Sequence, residues 1–124
     1  MEDSAALVAF VAVTDLDRAQ RFYGEVIGLT LHDERPYALV AAAGGATLRI
    51  TAVEAVAAAP YTVLGWTVPD LNAAVDDLAS RGVGFHRYEG MGQDERGVWT
   101  APSGARVAWF NDPDGNTLSM TQLP

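Results

Sequence analysis

Val13-Thr14-Asp15-Leu16-Asp17-Arg18-Ala19 returns later in the chain as Val68-Pro69-Asp70-Leu71-Asn72-Ala73-Ala74. Each copy follows an apolar run, Phe10 to Val13 and Leu64 to Val68. Each leads into a helical pattern that stops at a glycine, Gly28 and Gly82. The aspartate of each copy supplies an acceptor for the orphan amides of a helix, and the glycine suits the left-handed residue that closes one. Strand, capped helix, glycine, strand: one unit is written twice, and a repeat of this length marks a structural module.

Around the first copy, Leu7 to Val13 is almost wholly apolar and reads as a strand buried on both faces. After Asp15, the residues Leu16, Ala19, Tyr23 and Val26-Ile27 keep a helical stripe, with Asp17 at the positive end of the dipole. Phe22 and Tyr23 read as the packing of this helix on a sheet. Three short strands follow, Leu29 to Asp33, Tyr37 to Ala42 and Ala46 to Ala52, with Gly44-Gly45 as a hairpin signal. The alanine-rich run from Glu54 to Pro60 reads as a linker with room for a helical turn.

Around the second copy, Val63 to Val68 reads as a strand, with Pro69 keeping Val68 extended before the cap. Leu71, Ala74, Val75, Leu78 and Ala79 form the cleanest amphipathic stripe in the chain. Gly82 stops the helix, and Val83 to Tyr88 resumes a strand. The symmetry then breaks. Glu89 to Gly104 has no usable period and reads as one long loop, of a length that favours function over mere connection. Arg106 to Asn111 and Thr117 to Leu123 close the chain as a hairpin around Asp112-Pro113-Asp114-Gly115-Asn116, a structural turn.

At 124 residues the chain has room for one compact domain, with modules over 1–53 and 61–124 and a linker over 54–60. Sixteen acidic residues against 8 basic ones leave a net charge of −8, which argues against nucleic acid as a partner, because a phosphate backbone needs a basic face. No cysteine is present, which excludes disulfides, thiolate metal sites and cysteine nucleophiles. The start, Met1-Glu2-Asp3-Ser4, is acidic where a signal peptide is basic, and no apolar run approaches the roughly 18 residues of a membrane span. The expectation is a soluble cytoplasmic protein with no membrane partner.

The paired V-x-D-L caps, Phe22-Tyr23 and Gly28-Leu29 after the first, and the closing Asp112-Pro113-Asp114-Gly115-Asn116 together resemble the vicinal oxygen chelate superfamily. That group includes glyoxalase I, extradiol dioxygenases, fosfomycin resistance proteins and bleomycin-binding proteins. The resemblance spans essentially the whole chain. It implies an α+β fold of two βαβββ modules forming a curved, eight-stranded half-barrel, commonly a homodimer, with the ligand in the concavity. It also implies four metal-ligand positions, which here hold Val8, Val63, Arg49 and Ser119. Two valines, an arginine and a serine offer a divalent ion no useful donors, so neither a metal nor another cofactor is expected. The two histidines, His32 and His86, occupy equivalent places after Gly28-Leu29-Thr30-Leu31 and Gly82-Val83-Gly84-Phe85. They read as exposed residues on edge strands rather than as a metal pair.

Because side chains alternate along a strand, the implied ligand positions mark the face that lines the cavity. Val8, Phe10 and Ala12 belong to it, as do Val63, Gly65 and Thr67, Arg49 and Thr51, and Thr117, Ser119 and Thr121. Trp66, Leu118 and Met120 fall on the opposite face as core. Arg49 is the one cation in that lining: it grips a carboxylate or phosphate of the ligand, or it pairs with an acid such as Glu54 or with a dimer partner. Trp99 and Trp109, with Tyr37, Tyr61 and Phe110, are candidates for stacking walls, and Trp99 is placed in the long loop as a lid. The candidate ligand-binding residues are therefore Arg49, Phe10, Val8, Val63, Thr67, Ser119, Trp99 and Trp109, with no catalytic residue identified. The functional expectation is metal-independent binding of a small hydrophobic or aromatic molecule, in the manner of drug sequestration. The alternatives are a glyoxalase- or dioxygenase-like enzyme, a lyase or oxidoreductase with a remodelled site, and an interaction module whose dimer interface matters more than its cavity.

Overall fold

The computed structural model describes all residues, 1–124. Two compact units divide it, residues 1–57 and 58–124. Each is a βαβββ module with its own four-stranded sheet, and the fold class is α+β. No helix is long and apolar enough to cross a membrane.

The first unit runs β1 (Val8–Val13), α1 (Leu16–Ala19), β2 (His32–Glu34), β3 (Ala38–Ala43) and β4 (Ala46–Ala52), with sheet order β1-β4-β3-β2. β1 and β4 are parallel, with Phe10 opposite Arg49 and Val11 opposite Ile50. Val11, Val13, Leu39, Ala41, Leu48 and Ile50 are buried on one face, together with Tyr23 from the helical segment. Val8 and Phe10 stay exposed on the other, Phe10 at 63%. The apolar run of β1 is thus buried on one face only. Its continuous hydrophobicity reports an uncovered apolar face, not a strand enclosed on both sides.

Asp15 caps α1, accepting the backbone N–H of Arg18 at 3.1 Å. The helix then widens: over Gln20–Val26 the backbone bonds reach one residue further back, as from Ile27 N to Phe22 O at 2.9 Å. The sequence stripe shows a helix but not this change of pitch, because seven residues hold fewer than two turns of the wider helix, too few to define its period.

The second unit runs β5 (Thr62–Thr67), α2 (Leu71–Ser80), β6 (Trp99–Thr100), β7 (Arg106–Asn111) and β8 (Thr117–Gln122), ordered β5-β8-β7-β6. Asp70 caps α2 through Ala73 N at 3.0 Å, and Gly82 follows the helix at φ 93°. Leu71, Val75 and Leu78 are buried from α2, with Ala108, Phe110, Leu118 and Met120 from the sheet. Two segments depart from the sequence reading. Val83 to Tyr88 is not a full strand; it touches the sheet through a single bridge, Phe85 to Phe110, and a bond from His86 N to Trp109 O of 2.8 Å. Glu89 to Gly104 is not wholly loop, since Trp99–Thr100 pairs with β7.

Several surface carboxylates are held below the ordinary aspartate range. Asp15 is lowered first by the backbone N–H of Arg18, Asp33 first by the backbone N–H of Arg35, and Asp76 first by the side chain of Arg96. Their native values lie below the unfolded one of about 3.9, so the stability they contribute is complete above that pH and is lost as pH falls through the native values. Thermal melts are expected to hold a steady midpoint from pH 8 to 5 and to fall below pH ~4. Asp33→Asn together with Asp76→Asn flattens that fall; an unchanged acid limb in the double variant contradicts the assignment.

Candidate functional site

The candidate residues divide between the units. In the first, Val8 and Phe10 on β1 and Arg49 on β4 share the open face of the sheet, as the pairing of Phe10 with Arg49 requires. Arg49 is not a free cation: its guanidinium meets Glu34 Oε1 on β2 at 3.2 Å. Its partner is an acid two strands away in the sheet, not Glu54, which is exposed beyond β4. Both members are substantially solvated, so the pair contributes little to stability. His32 is exposed on β2, opposite Val40.

The second unit assembles something denser. On β7, Trp109 lies opposite Ser119 on the open face, while the adjacent Phe110 lies opposite Leu118 in the core at 0% exposure. Phe110 is therefore packing and not a wall of the site. Trp99, opposite Val107, takes the same face as Trp109, and their ring centroids stand 6.1 Å apart with planes inclined at 33°. Trp99 is not the tip of a lid; it is an edge-strand residue that extends the indole surface of Trp109. Tyr88 meets Trp109 edge-on at 5.5 Å, and the Tyr88 hydroxyl lies 3.3 Å from His86 Nδ1.

His86, Tyr88 and Trp109, but not Trp99, line a cleft of about 540 Å³ together with Pro60, Tyr61, Thr62, Met91 and Thr117. The volume lies in the range of small-molecule sites, and the lining is aromatic and apolar with a few neutral polar groups. No carboxylate and no fixed cation is among the lining residues.

The three remaining candidates take different places. Ser119 is 9% exposed beneath this face, and its hydroxyl sits so close over β5 that a Cβ at Gly65 would come within 2.5 Å of it. That close approach is why glycine stands in mid-strand there. Thr67 lies beside Thr121, beyond Gly65 and away from the cleft. Val63 is taken out of the ladder by a register shift: Thr62 pairs with Thr117 and Leu64 with Leu118, which leaves Val63 as the extra residue. The bulge brings Thr62, not Val63, to the cleft beside Thr117.

His86, Tyr88 and Met91 are the residues that strand alternation overlooked. His86 is half-buried rather than an exposed edge residue. Its one sequence signal is the alternation of His86 with Tyr88, two ring side chains on one face of an extended segment.

The metal-ligand positions implied by the superfamily hold Val8, Arg49, Val63 and Ser119, donors that do not fit a divalent cation. No group of three or more His, Cys, Asp or Glu side chains is placed to hold one elsewhere.

A profile of the Glyoxalase/Bleomycin resistance protein/Dioxygenase superfamily matches residues 5–120. Among solved structures, a glyoxalase family protein from Bacillus anthracis is similar with a TM-score of 0.77 at 15% identity, covering 100% of this chain and 98% of that one. TnmS3, an antibiotic binding protein from Streptomyces sp. CB03234, is similar with a TM-score of 0.70 at 23% identity over 100% and 99% of the two chains. A glyoxalase/bleomycin resistance protein from Catenulispora acidiphila DSM 44928 reaches 0.71 at 25% identity over 98% and 100%. No protein of curated function matches the sequence. The profile spans all but the ends of the chain, and both units repeat the βαβββ order. The chain belongs to the glyoxalase/bleomycin resistance protein/dioxygenase superfamily.

Proposed function

We propose that this protein binds a small hydrophobic or aromatic molecule without using a metal ion, in the manner of drug sequestration. The observation that carries the reading is the cleft of the second unit, where Trp109, backed by Trp99 and flanked by Tyr88, offers stacking surface among uncharged neighbours. Aromatic walls supply affinity for a planar guest, and the few hydroxyl groups supply orientation. The absence of carboxylate or imidazole donors at Val8, Arg49, Val63 and Ser119 supports binding over metal-assisted chemistry. The fold-level likeness to an antibiotic binding protein accords with it.

The same reading has the protein acting as a cytoplasmic homodimer, the dimer in keeping with Val8 and Phe10 left exposed along β1. Light scattering that gives the mass of one chain contradicts the dimer.

The test of binding is a calorimetric screen of planar aromatic compounds. Trp109→Ala removes most of one stacking wall and is expected to weaken a hit about 30-fold, from roughly 2 kcal/mol of lost contact. Prior dialysis against a chelator leaves the native affinity unchanged. Binding that needs an added divalent ion, or that ignores Trp109→Ala, overturns the reading.

A further inference from the structure

The polar end of the cleft is more ordered than affinity for a hydrocarbon requires. His86 and Tyr88 are two residues apart, and the Tyr88 hydroxyl and His86 Nδ1 lie 3.3 Å apart, within reach of a shared proton. The segment that carries them is fixed at both ends. His86 N donates to Trp109 O at 2.8 Å, which ties the imidazole to the strand bearing the main stacking ring. Gln93 does the rest. Its Oε1 accepts Tyr88 N at 2.6 Å, while its Nε2 donates to His86 O at 2.8 Å and to Gly97 O at 2.7 Å. One amide side chain thus sets the backbone on both sides of the pair.

The chemistry of this pair is definite whichever way its proton lies. If the Tyr88 hydroxyl donates to Nδ1, the imidazole presents its Nε2–H as a donor and the phenol oxygen keeps a free lone pair. If Nδ1–H donates to the phenol oxygen, the phenol O–H becomes the free donor and Nε2 the free acceptor. Either arrangement leaves one donor and one acceptor unused. A hydroxyl is the small group that can bond the Tyr88 oxygen in either arrangement, since it both gives and takes a hydrogen bond.

We propose that the His86–Tyr88 pair reads a hydroxyl on the edge of the ligand's ring, so that the cleft selects phenol-type planar aromatics over the corresponding hydrocarbons. Trp109, backed by Trp99, supplies the stacking surface, and the pair supplies the selection. Gln93 is the positioning residue behind it. The inference rests on the aromatic-ligand reading given above and deepens it by naming the ligand class.

The sign of the selection is diagnostic. A purely apolar cleft prefers the hydrocarbon, because a buried hydroxyl without a partner loses its water. A cleft with a waiting donor and acceptor reverses the order, and a site built to bond a hydroxyl discriminates against the analogue lacking it. Equilibrium dialysis of 2-naphthol and naphthalene against the native protein at pH 7 measures this directly. Native protein is expected to hold 2-naphthol about fivefold more tightly than naphthalene, the effect of about one net hydrogen bond. Tyr88→Phe keeps the ring edge on Trp109 and is expected to bring the ratio of the two affinities from about five to about one. Trp109→Ala weakens both probes.

Native protein that binds both probes, loses both on Trp109→Ala and shows no preference for 2-naphthol overturns the selection but leaves the aromatic site standing. Native protein that binds neither probe overturns the site and the selection together. A preference that survives both Tyr88→Phe and His86→Phe also overturns the assignment of the pair.

Discussion

Phe110→Ala is expected to lower the stability of the protein by about 3–5 kcal/mol, the cost of a large aromatic removed from a closed core. The side chain is 0% exposed and meets Phe85 edge-on at a centroid distance of 5.5 Å. Deleting the ring forfeits its transfer energy and leaves a void beside Leu118 on β8 and Phe85. Small domains have only about 5–15 kcal/mol in all, so a drop in melting temperature of roughly 10–20 °C is expected. The neighbouring residue provides the control. Trp109→Ala acts on the open face, where the indole is half-buried, so it lowers affinity much more than stability. Urea unfolding of the two variants side by side checks the contrast. If Phe110→Ala costs less than Trp109→Ala, the assignment of the two faces of β7 is wrong.

The second large effect is expected at the closing turn. Asp112 is 4% exposed, and its Oδ1 accepts Asp114 N at 3.0 Å and Asn116 N at 2.9 Å. Its Oδ2 accepts Asn116 Nδ2 at 2.8 Å, and Asn116 is itself buried. Asp112→Ala leaves these donors without their acceptor, two of them in a buried residue. Bonds to a charged acceptor are the stronger kind, and buried unsatisfied donors carry the full desolvation cost, so a loss of about 3 kcal/mol is expected. Asp112→Asn keeps one oxygen for the two backbone donors but sets its own amide against that of Asn116. About half the loss is expected there. Denaturant midpoints for the two variants, with unchanged slopes, test the ranking. Equal stability of Asp112→Ala and the parent contradicts a structural role for the turn.

The turn and the repeat were legible in the sequence because their signals are local. Asp, Pro and Gly at the spacing of Asp112, Pro113 and Gly115 specify a tight turn wherever they occur. Asp15 and Asp70 cap helices through atoms three residues away, as their spacing requires. Ala46 to Ala52 was readable as a strand to its last residue for the same reason, having a glycine pair before it. Within the candidate site, the ligand positions implied by the resemblance, Val8, Arg49 and Ser119, fixed one face of their strands, and alternation from them put Phe10 on that face with Leu118 and Met120 opposite.

What failed were inferences that needed a partner strand. The ligand position implied by the resemblance puts Val63 on the cavity face, and a single bulge moves the cleft position to Thr62. Trp99 looked like a lid because a two-residue strand inside sixteen irregular residues carries no period. Arg49 pairs with Glu34 and not Glu54, because Glu34 is distant in sequence and comes near only across the sheet.

The sequence by itself therefore determined the two βαβββ modules, their caps and their closing turn. Each of these depends on residue type or on contacts a few positions long. Only the tertiary structure decided that Trp109 faces the cleft while Phe110 fills the core, and that His86 and Tyr88 join Trp109 rather than stand at an edge. Those outcomes depend on strand register and on one bulge, and register is fixed by hydrogen bonds between segments far apart in the chain.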